Sequence, residues 1–201
     1  MSVRHKIVLA THNMDKEAEM NAVLADLGFD LLTLNQFPEI GEIEETGTTL
    51  LENSFIKART VYNVTGLPSL ADDTGLEVDA LNGAPGVFSS RYAGDNVSYE
   101  ENLKKILHDL DGVPIQKRAA RFRTVISFVT ENSELTTDGV LEGVITNEPK
   151  GLNGFGYDPV FFVEDIGKTL AEISTEKKNK ISHRSVALKK MKKIIKKYFT
   201  E

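Results

Sequence analysis

The chain has 201 residues, 40% of them hydrophobic and 27% charged, which is the composition of an ordinary globular protein with a sizeable core. No window approaches the run of about 18–20 apolar residues that a membrane span needs, and the apolar run near the N-terminus, IVLA, is too short for a signal peptide. Because the chain has no cysteine, disulfides, thiolate metal sites and cysteine nucleophiles are excluded, and the cytoplasm is the expected compartment.

The formal net charge of −6 hides an uneven distribution, because ten of the 24 lysines and arginines lie in residues 177–201. The preceding part of the chain is strongly acidic. That argues against general nucleic-acid binding, which requires a basic surface. Any polyanionic ligand is therefore expected to be small and to be neutralised locally, by lysines or by a metal held on carboxylates.

The N-terminal third alternates between strand and helix patterns. KIVLA at 6–10 and FDLLTL at 29–34 read as strands, and the segment between them reads as a helix that ends at Gly28. A strand, a helix and a strand within about 30 residues indicate a parallel or mixed sheet.

A second helix is predicted over residues 49–65, where Thr49 and Glu52 are spaced as a capping box. Its apolar stripe is expected at Leu51, Phe55, Ala58 and Tyr62. Asn53 and Lys57 are one helical turn apart and share a different face, on which Lys57 either reaches a ligand or pairs with a glutamate at the surface.

The remaining elements complete an α/β pattern. We predict a strand within 67–80, a helix over 98–112, two long antiparallel strands at 118–132 and 134–145, a strand at VFFV and a C-terminal helix from residue 182. No linker or internal repeat interrupts the chain, so we predict a single α/β domain over residues 1–201.

Three stretches combine residues that suit a nucleotide. THNMDK follows the first strand, where α/β sheets place ligands, and Lys16 puts a cation in a first helical turn that ordinarily favours an acid. In GLNGFGYDPVF, two glycines bracket Phe155, so the loop either presents the ring to a flat heterocycle or buries it. KKNKISHR is predicted to form a basic turn that gathers Lys178, His183 and Arg184 just before or at the start of the last helix.

LPSLADDTGLEVDA places Asp72 and Asp73 between apolar runs, at the predicted end of a strand. Neighbouring side chains on a strand point to opposite faces, so one aspartate is expected to meet a ligand and the other to support it. Mg²⁺ accepts one or two carboxylates together with phosphate oxygens and water, and Asp73 with an acid from 42–45 fits that description. The alternative is an Asx-turn before Gly75.

Five stretches, in this order, resemble the inosine/xanthosine triphosphate pyrophosphatase family: THNMDK, EETGTTLLENSFIKA, LADDTGLEVDALNGAPGVFSSRYAG, GFGYDPVF and KNKISHRSVAL. The resemblance extends over about residues 7–190. It implies an α/β fold in which a long mixed β-sheet is flanked by helices and two lobes enclose a central active-site cleft. It also implies a cytoplasmic homodimer that uses Mg²⁺ to hydrolyse ITP, dITP and XTP to the nucleoside monophosphate and pyrophosphate, with no nucleic-acid polymer or membrane as a partner.

The resemblance further implies roles for individual residues. Asp73 is expected to be the catalytic base and a metal ligand, with Glu45 as its companion ligand and Glu44 as the alternative. Lys57 is expected to act in catalysis as a second cation. The expected substrate contacts are Thr11, His12, Asn13, Met14, Asp15, Lys16, Thr74, Phe155, Gly156, Tyr157, Asp158, Lys178, His183 and Arg184.

Three other functions compete with this one. A Maf-like pyrophosphatase would prefer modified pyrimidines, but the GFGYD loop and the SHR turn argue against it. A Nudix hydrolase would need a REXXEE-type helix, which this sequence lacks. A nucleotide-binding regulator without turnover would keep Phe155 and the lysines but would not need the carboxylates.

Overall fold

The computed structural model describes residues 4–200 and has a mixed α/β architecture. Its strands are β1 (Lys6–Leu9), β2 (Asp30–Thr33), β3 (Ser69–Val78), β4 (Pro85–Gly86), β5 (Ala119–Val129), β6 (Glu134–Ile145), β7 (Phe161–Val163) and β8 (Lys168–Thr169). Its α-helices are α1 (Met14–Leu24), α2 (Leu50–Thr65), α3 (Tyr99–Asp109), α4 (Thr175–Ile181) and α5 (His183–Tyr198). None of the helices within residues 4–200 is long and apolar enough to cross a membrane.

The described strands form one eight-stranded sheet in the order β2-β1-β3-β5-β6-β7-β8, with β4 paired to β3. Strand β1 runs parallel to both β2 and β3, whereas β7 runs antiparallel to β6 and β8. The mixed sheet and the N-terminal strand-helix-strand unit predicted from the sequence are therefore confirmed.

The chain divides into two compact units. Unit 1 comprises Met1–Asp73, Thr124–Gly139 and His183–Glu201, and unit 2 comprises Thr74–Arg123 and Val140–Ser182. The division falls within strands β3, β5 and β6, each of which contributes residues to both units.

Unit 1 buries both faces of its strands. Ile7 and Leu9 of β1 belong to a core cluster with Met20 of α1 and Met191 of α5. The intervening residue Val8 belongs instead to a second cluster, which includes the α2 residues Ala58 and Val61. This alternation is the period of two that a strand requires, and it puts helices on both sides of the sheet.

Unit 2 has its own core cluster. Leu103 and Ile106 of helix α3 pack with Phe122 of β5 and Phe161 of β7, whose rings lie 4.6 Å apart. Arg118 is buried beside this core, and its guanidinium donates to the carbonyl oxygens of Leu110, Val113 and Thr146.

The predicted end of the first helical segment and the predicted capping box of α2 are confirmed, and α1 also has an N-cap that the sequence analysis did not identify. Asn13 Oδ1 accepts hydrogen bonds from the backbone N–H groups of Asp15 and Lys16, both at 3.0 Å, and so caps α1. The helical segment ends at Gly28, which has a φ of 70° that favours glycine. At α2, Thr49 and Glu52 form the predicted capping box.

Helix α4 and the short strand β8 were not predicted. Most of the KKNKISHR stretch lies in α4, which Ser174 caps, rather than in a basic turn. A helix of seven residues with the sequence TEKKNKI carries a single apolar residue, so it shows no helical period. Strand β8 has only two residues, which is too short to alternate.

Candidate active site

Asp72 and Asp73 lie inside the ten-residue strand β3 rather than at its end, and both are buried. The strand continues through Gly75, so the alternative of an Asx-turn is wrong. The two carboxylates contact different cations, as the alternation of strand side chains predicts.

Asp73 belongs to a three-residue chain of charges in unit 1. Lys57 Nζ donates to Asp73 Oδ1 at 3.1 Å and to Glu45 Oε1 at 2.5 Å. Burial raises the pKa of the Asp73 carboxyl even though Lys57 opposes that shift. The pKa of Lys57 is raised: burial alone would lower it, but the neighbouring carboxylates of Asp73 and Glu45 outweigh burial.

These contacts revise the prediction for helix α2. Lys57 does pair with a glutamate, as the alternative held, but it is only 7% exposed, so its expected position at the surface is wrong. Leu51, which was assigned to the apolar stripe, is 44% exposed, while Asn53, Ser54 and Lys57 are buried. The inward face accepts these polar residues because each has a buried polar contact, such as the 2.7 Å hydrogen bond between the hydroxyls of Ser54 and Ser127.

The carboxylates of Glu45 and Asp73 are also the groups in unit 1 that fit a divalent cation. Asp73 Oδ2 is buried and has no hydrogen-bond partner among residues 4–200. No group of three or more histidine, aspartate or glutamate side chains converges as a metal site within those residues. A pair of carboxylates with one free oxygen fits a hard divalent cation, which can take one or two carboxylates and complete its shell with phosphate and water.

Asp72 is itself fully buried and belongs to a second network, in which Lys16 is partly exposed. Its Oδ2 lies 2.9 Å from Arg184 Nη2 and 3.3 Å from Lys16 Nζ, and Arg184 Nη1 lies 2.5 Å from Glu19 Oε2. Burial by itself would raise the pKa of Asp72, but Lys16 and Arg184 hold it well below its usual range. For Lys16, burial dominates and lowers the pKa.

The other residues predicted in the THNMDK loop differ in how deeply they are buried. Thr11 is buried, and its Oγ1 accepts from the backbone N–H of Asn13 at 3.1 Å. His12, Met14 and Asp15 are exposed. The loop thus combines a capped helix start with the cation Lys16, which can neutralise an anion there.

In unit 2 the GFGYD loop holds a second group of predicted residues. Asp158 Oδ2 accepts from Lys178 Nζ at 2.5 Å and from the backbone N–H of Phe155 at 2.9 Å. Lys178 Nζ also lies 4.4 Å from the centre of the half-buried Phe155 ring, and the Tyr99 ring is 5.8 Å from it. Tyr157 is buried and donates its hydroxyl to the Ser89 carbonyl.

The two glycines beside Phe155 differ in the space available for a side chain. Gly154 has a φ of 73°, and a Cβ there would come within 2.0 Å of Asp158 Oδ2. Gly156 has a φ of 61° but open space where a Cβ would be. The Asp158 carboxylate therefore requires glycine at position 154 for space as well as for backbone conformation.

The remaining predicted residues are divided between the units. Thr74 directly follows Asp73 and is half-buried in unit 2. His183 is buried at the first position of α5 in unit 1. Lys178, which the sequence groups with His183 and Arg184, instead pairs with Asp158, so the basic stretch serves two separate clusters.

Glu19 was missed by the sequence analysis. It is buried on α1 and pairs with Arg184, 165 positions away. The available signal was its position three residues after Lys16, which places the two side chains on the same side of the helix.

Residues 7–194 match the model of the Ham1 family. A dITP/XTP pyrophosphatase of Thermoanaerobacter sp. is 48% identical over 196 residues, which cover 98% of this chain and 99% of that protein. The enzyme of the same name from Listeria monocytogenes is 49% identical over 189 residues, covering 94% and 93%.

Solved structures give the same result. A HAM1 protein from Coxiella burnetii matches with a TM-score of 0.88 at 46% identity, covering 96% of this chain and 99% of that one. A nucleoside-triphosphatase described as a dITP/XTP pyrophosphatase from Mycobacterium abscessus matches with a TM-score of 0.76 at 40% identity, covering 92% and 98%. The chain belongs to the Ham1 family.

Proposed function

We propose that this protein is a nucleoside triphosphate pyrophosphatase that hydrolyses ITP, dITP and XTP to the nucleoside monophosphate and pyrophosphate. Its relatives at 48–49% identity carry the name dITP/XTP pyrophosphatase. By removing non-standard purine nucleotides, the enzyme would cleanse the nucleotide pool, and we propose that it does so in the cytoplasm.

The observation that carries this proposal is the arrangement of Glu45, Lys57 and Asp73. Lys57 Nζ contacts both carboxylates and leaves Asp73 Oδ2 buried without a partner among residues 4–200. A buried carboxylate oxygen without a partner costs stability unless it serves a ligand or a proton transfer, so it suits the base that hydrolysis requires.

A divalent cation, which we propose is Mg²⁺, would be held by Glu45 and Asp73. When bound, Mg²⁺ supplies positive charge that neutralises the phosphates and stabilises the pyrophosphate as it leaves. Lys57 keeps the two carboxylates near each other in a form that can accept such an ion.

Individual residues of the chain then have separate roles in the hydrolysis. Asp73 Oδ2 accepts a proton from a water whose oxygen forms a bond to the α-phosphorus, while the bond from that phosphorus to the α–β bridging oxygen breaks. Lys57 and Lys16 provide positive charge for the triphosphate, and the neutral loop residues Thr11 and Asn13 would help to hold it. The departing group is pyrophosphate.

We assign recognition of the base to unit 2. Phe155 would stack on the purine, and the Asp158 carboxylate fixes the loop that carries this ring through the Phe155 N–H. A donor facing the 6-oxo group would leave the 6-amino group of ATP mispaired, which costs about 1–3 kcal/mol, or about 5- to 150-fold in selectivity.

We also propose a homodimer, on the family resemblance alone.

A product assay tests the proposed function. The protein is incubated with Mg²⁺ and, in parallel, with ITP, dITP, XTP, ATP, GTP and a modified pyrimidine triphosphate, and pyrophosphate and orthophosphate are both measured. We expect pyrophosphate from ITP, dITP and XTP at rates well above that from ATP. Orthophosphate as the main product, equal rates on ATP and ITP, or binding without turnover would contradict the proposal.

A further inference from the structure

The loop that carries Glu45 is attached to the first turns of helix α2 by consecutive hydrogen bonds. Asn53 Oδ1 accepts from the backbone N–H of Gly47 at 2.8 Å. Glu52 Oε2 accepts from the backbone N–H groups of Thr48 at 2.6 Å and Thr49 at 3.1 Å. The chain is therefore fixed to the helix from the second residue after Glu45 onward.

Gly47 and Asn53 fit closely together. A Cβ on residue 47 would lie 2.6 Å from Asn53 Oδ1 and 2.7 Å from the Cβ of Glu52, so no larger residue fits there without a shift. Asn53 is 0% exposed. One turn further along the same helix face, Lys57 holds the Glu45 side chain at 2.5 Å. Asn53 and Lys57 thus hold the loop at two points, one on its backbone and one on its carboxylate.

Helix α3 in unit 2 also has an asparagine at the fourth position after its cap, and this residue likewise binds the preceding chain. Asn102 stands four residues after the cap Ser98, just as Asn53 stands four residues after the cap Thr49. Asn102 is also buried, and its Oδ1 accepts from the N–H of Ala93 at 2.8 Å while its Nδ2 donates to the Ser90 carbonyl. An asparagine that only anchors a loop therefore uses both ends of its amide.

Asn53 differs in one respect. Its Nδ2 is buried and has no hydrogen-bond partner among residues 4–200. An aspartate would provide the same acceptor for Gly47 without a spare donor, but it would add a third negative charge next to Lys57 and its two carboxylates. A neutral amide preserves the balance of one cation and two anions in this chain of charges.

We propose that Asn53 is a positioning residue for Glu45: by binding the Gly47 N–H it sets the loop so that Glu45 and Asp73 form one site for a divalent cation. The inference rests on the proposed function, because Glu45 is a metal ligand only within it. Residues that orient metal ligands in this way typically change metal affinity by about 10- to 100-fold when they are removed.

Three single variants test the inference: Asn53→Ala, Gly47→Ala and, as a matched control, Asn102→Ala. Amide hydrogen exchange over residues 41–49 is measured on the full-length protein without nucleotide or metal. We expect exchange of the Gly47 amide to speed up by at least about tenfold in Asn53→Ala and Gly47→Ala, because its acceptor is lost or displaced, and to stay unchanged in Asn102→Ala.

The second measurement is the Mg²⁺ concentration that gives half-maximal hydrolysis of ITP. It should rise by about 10- to 100-fold in Asn53→Ala and Gly47→Ala, with kcat largely recovered at high Mg²⁺, and stay near the wild-type value in Asn102→Ala. The double variant Asn53→Ala/Gly47→Ala should be no worse than either single variant, since both break one contact.

Unchanged exchange in Asn53→Ala would overturn the inference, as would faster exchange with an unaltered Mg²⁺ requirement. An equal rise in the Asn102→Ala control would also overturn it, because a general loss of stability would then explain the effect. Failure of the proposed function is distinguishable, since the wild-type protein itself would then hydrolyse none of the purine triphosphates, while the exchange measurement needs no substrate.

Discussion

Asp72 and Asp73 are neighbours on strand β3, yet they bind different cations: Asp72 contacts Lys16 and Arg184, whereas Asp73 contacts Lys57. Since side chains alternate along a strand, the two carboxylates enter separate networks, one with Lys16 and Arg184 and the other with Lys57 and Glu45. The pair therefore provides two matched substitutions with different expected effects.

At Asp73 we expect a loss of catalysis with little loss of binding. Asp73→Asn keeps the shape of the side chain, but the amide cannot accept a proton from water. We expect kcat on ITP to fall by at least about 100-fold while the Kd for ITP, measured by calorimetry, changes little. Turnover near the wild-type rate would show that the catalytic base is elsewhere.

At Asp72 we expect a loss of stability. Asp72→Asn leaves Arg184 and Lys16 buried beside an uncharged partner, and breaking a buried ion pair typically costs about 3–5 kcal/mol. Urea denaturation should therefore show a much larger fall in the free energy of unfolding than for the control Asp73→Asn. Equal losses in the two variants would mean that the Asp72 network does not stabilise unit 1.

Removal of the Phe155 ring should impair capture of the base. We expect Phe155→Ala to raise the KM for ITP by about 5- to 150-fold, since stacking of one base on an aromatic ring contributes about 1–3 kcal/mol. Phe155→Tyr keeps the ring and should retain a KM near the wild-type value. An unchanged kcat/KM in Phe155→Ala would refute stacking.

Two glycine substitutions separate steric displacement from backbone strain. Gly154→Ala adds both, because its Cβ would meet Asp158 Oδ2 at 2.0 Å, whereas Gly156→Ala adds only the strain of a positive φ. We expect a lower Tm and a higher KM for ITP in Gly154→Ala than in Gly156→Ala. If the two variants behave alike, the position of the Asp158 carboxylate does not matter for binding.

The hydrogen bond between Tyr92 and Asp109 should make stability depend on pH. Tyr92 Oη donates to Asp109 Oδ2 at 2.6 Å, and burial, with the help of Asp109, raises the pKa of Tyr92 to about 12. Because that pKa lies above the unfolded value of about 10, this contribution is complete below pH 10 and is lost as the pH rises toward 12.

The same bond lowers the pKa of Asp109, so its own contribution is complete above about pH 4 and is lost as the pH falls further. Tyr92→Phe removes both effects. We expect the difference in Tm between wild type and Tyr92→Phe to be constant from pH 5 to 9 and to shrink above pH 10 and below pH 4. A difference that stays constant over the whole range would contradict this prediction.

Features encoded by nearby residues were predictable from the sequence. The capping box of Thr49 and Glu52 and the end of the first helical segment at Gly28 both rest on residues within a few positions of each other. The alternation that separates Asp72 from Asp73 is equally local. These predictions held because hydrogen bonds between close residues depend little on the rest of the fold.

The burial of polar residues could not be predicted in this way. Hydrophobic periodicity placed Leu51 inside and left Asn53 and Lys57 on another face, whereas the structure exposes Leu51 and buries the other two. Their partners come from the preceding loop and from strand β3, and no local pattern identifies such partners. A buried lysine is recognisable only once the carboxylates that surround it are known.

The contact between Arg184 and the acids Glu19 and Asp72 has a consequence for biosynthesis. The ribosome makes both acids more than 100 residues before the arginine that compensates their charge. A nascent chain therefore carries Glu19 without its arginine and Asp72 with Lys16 but without Arg184, and burying a carboxylate that lacks its full compensation would cost several kcal/mol. Unit 1 should consequently remain open during translation and close only after helix α5 emerges from the exit tunnel.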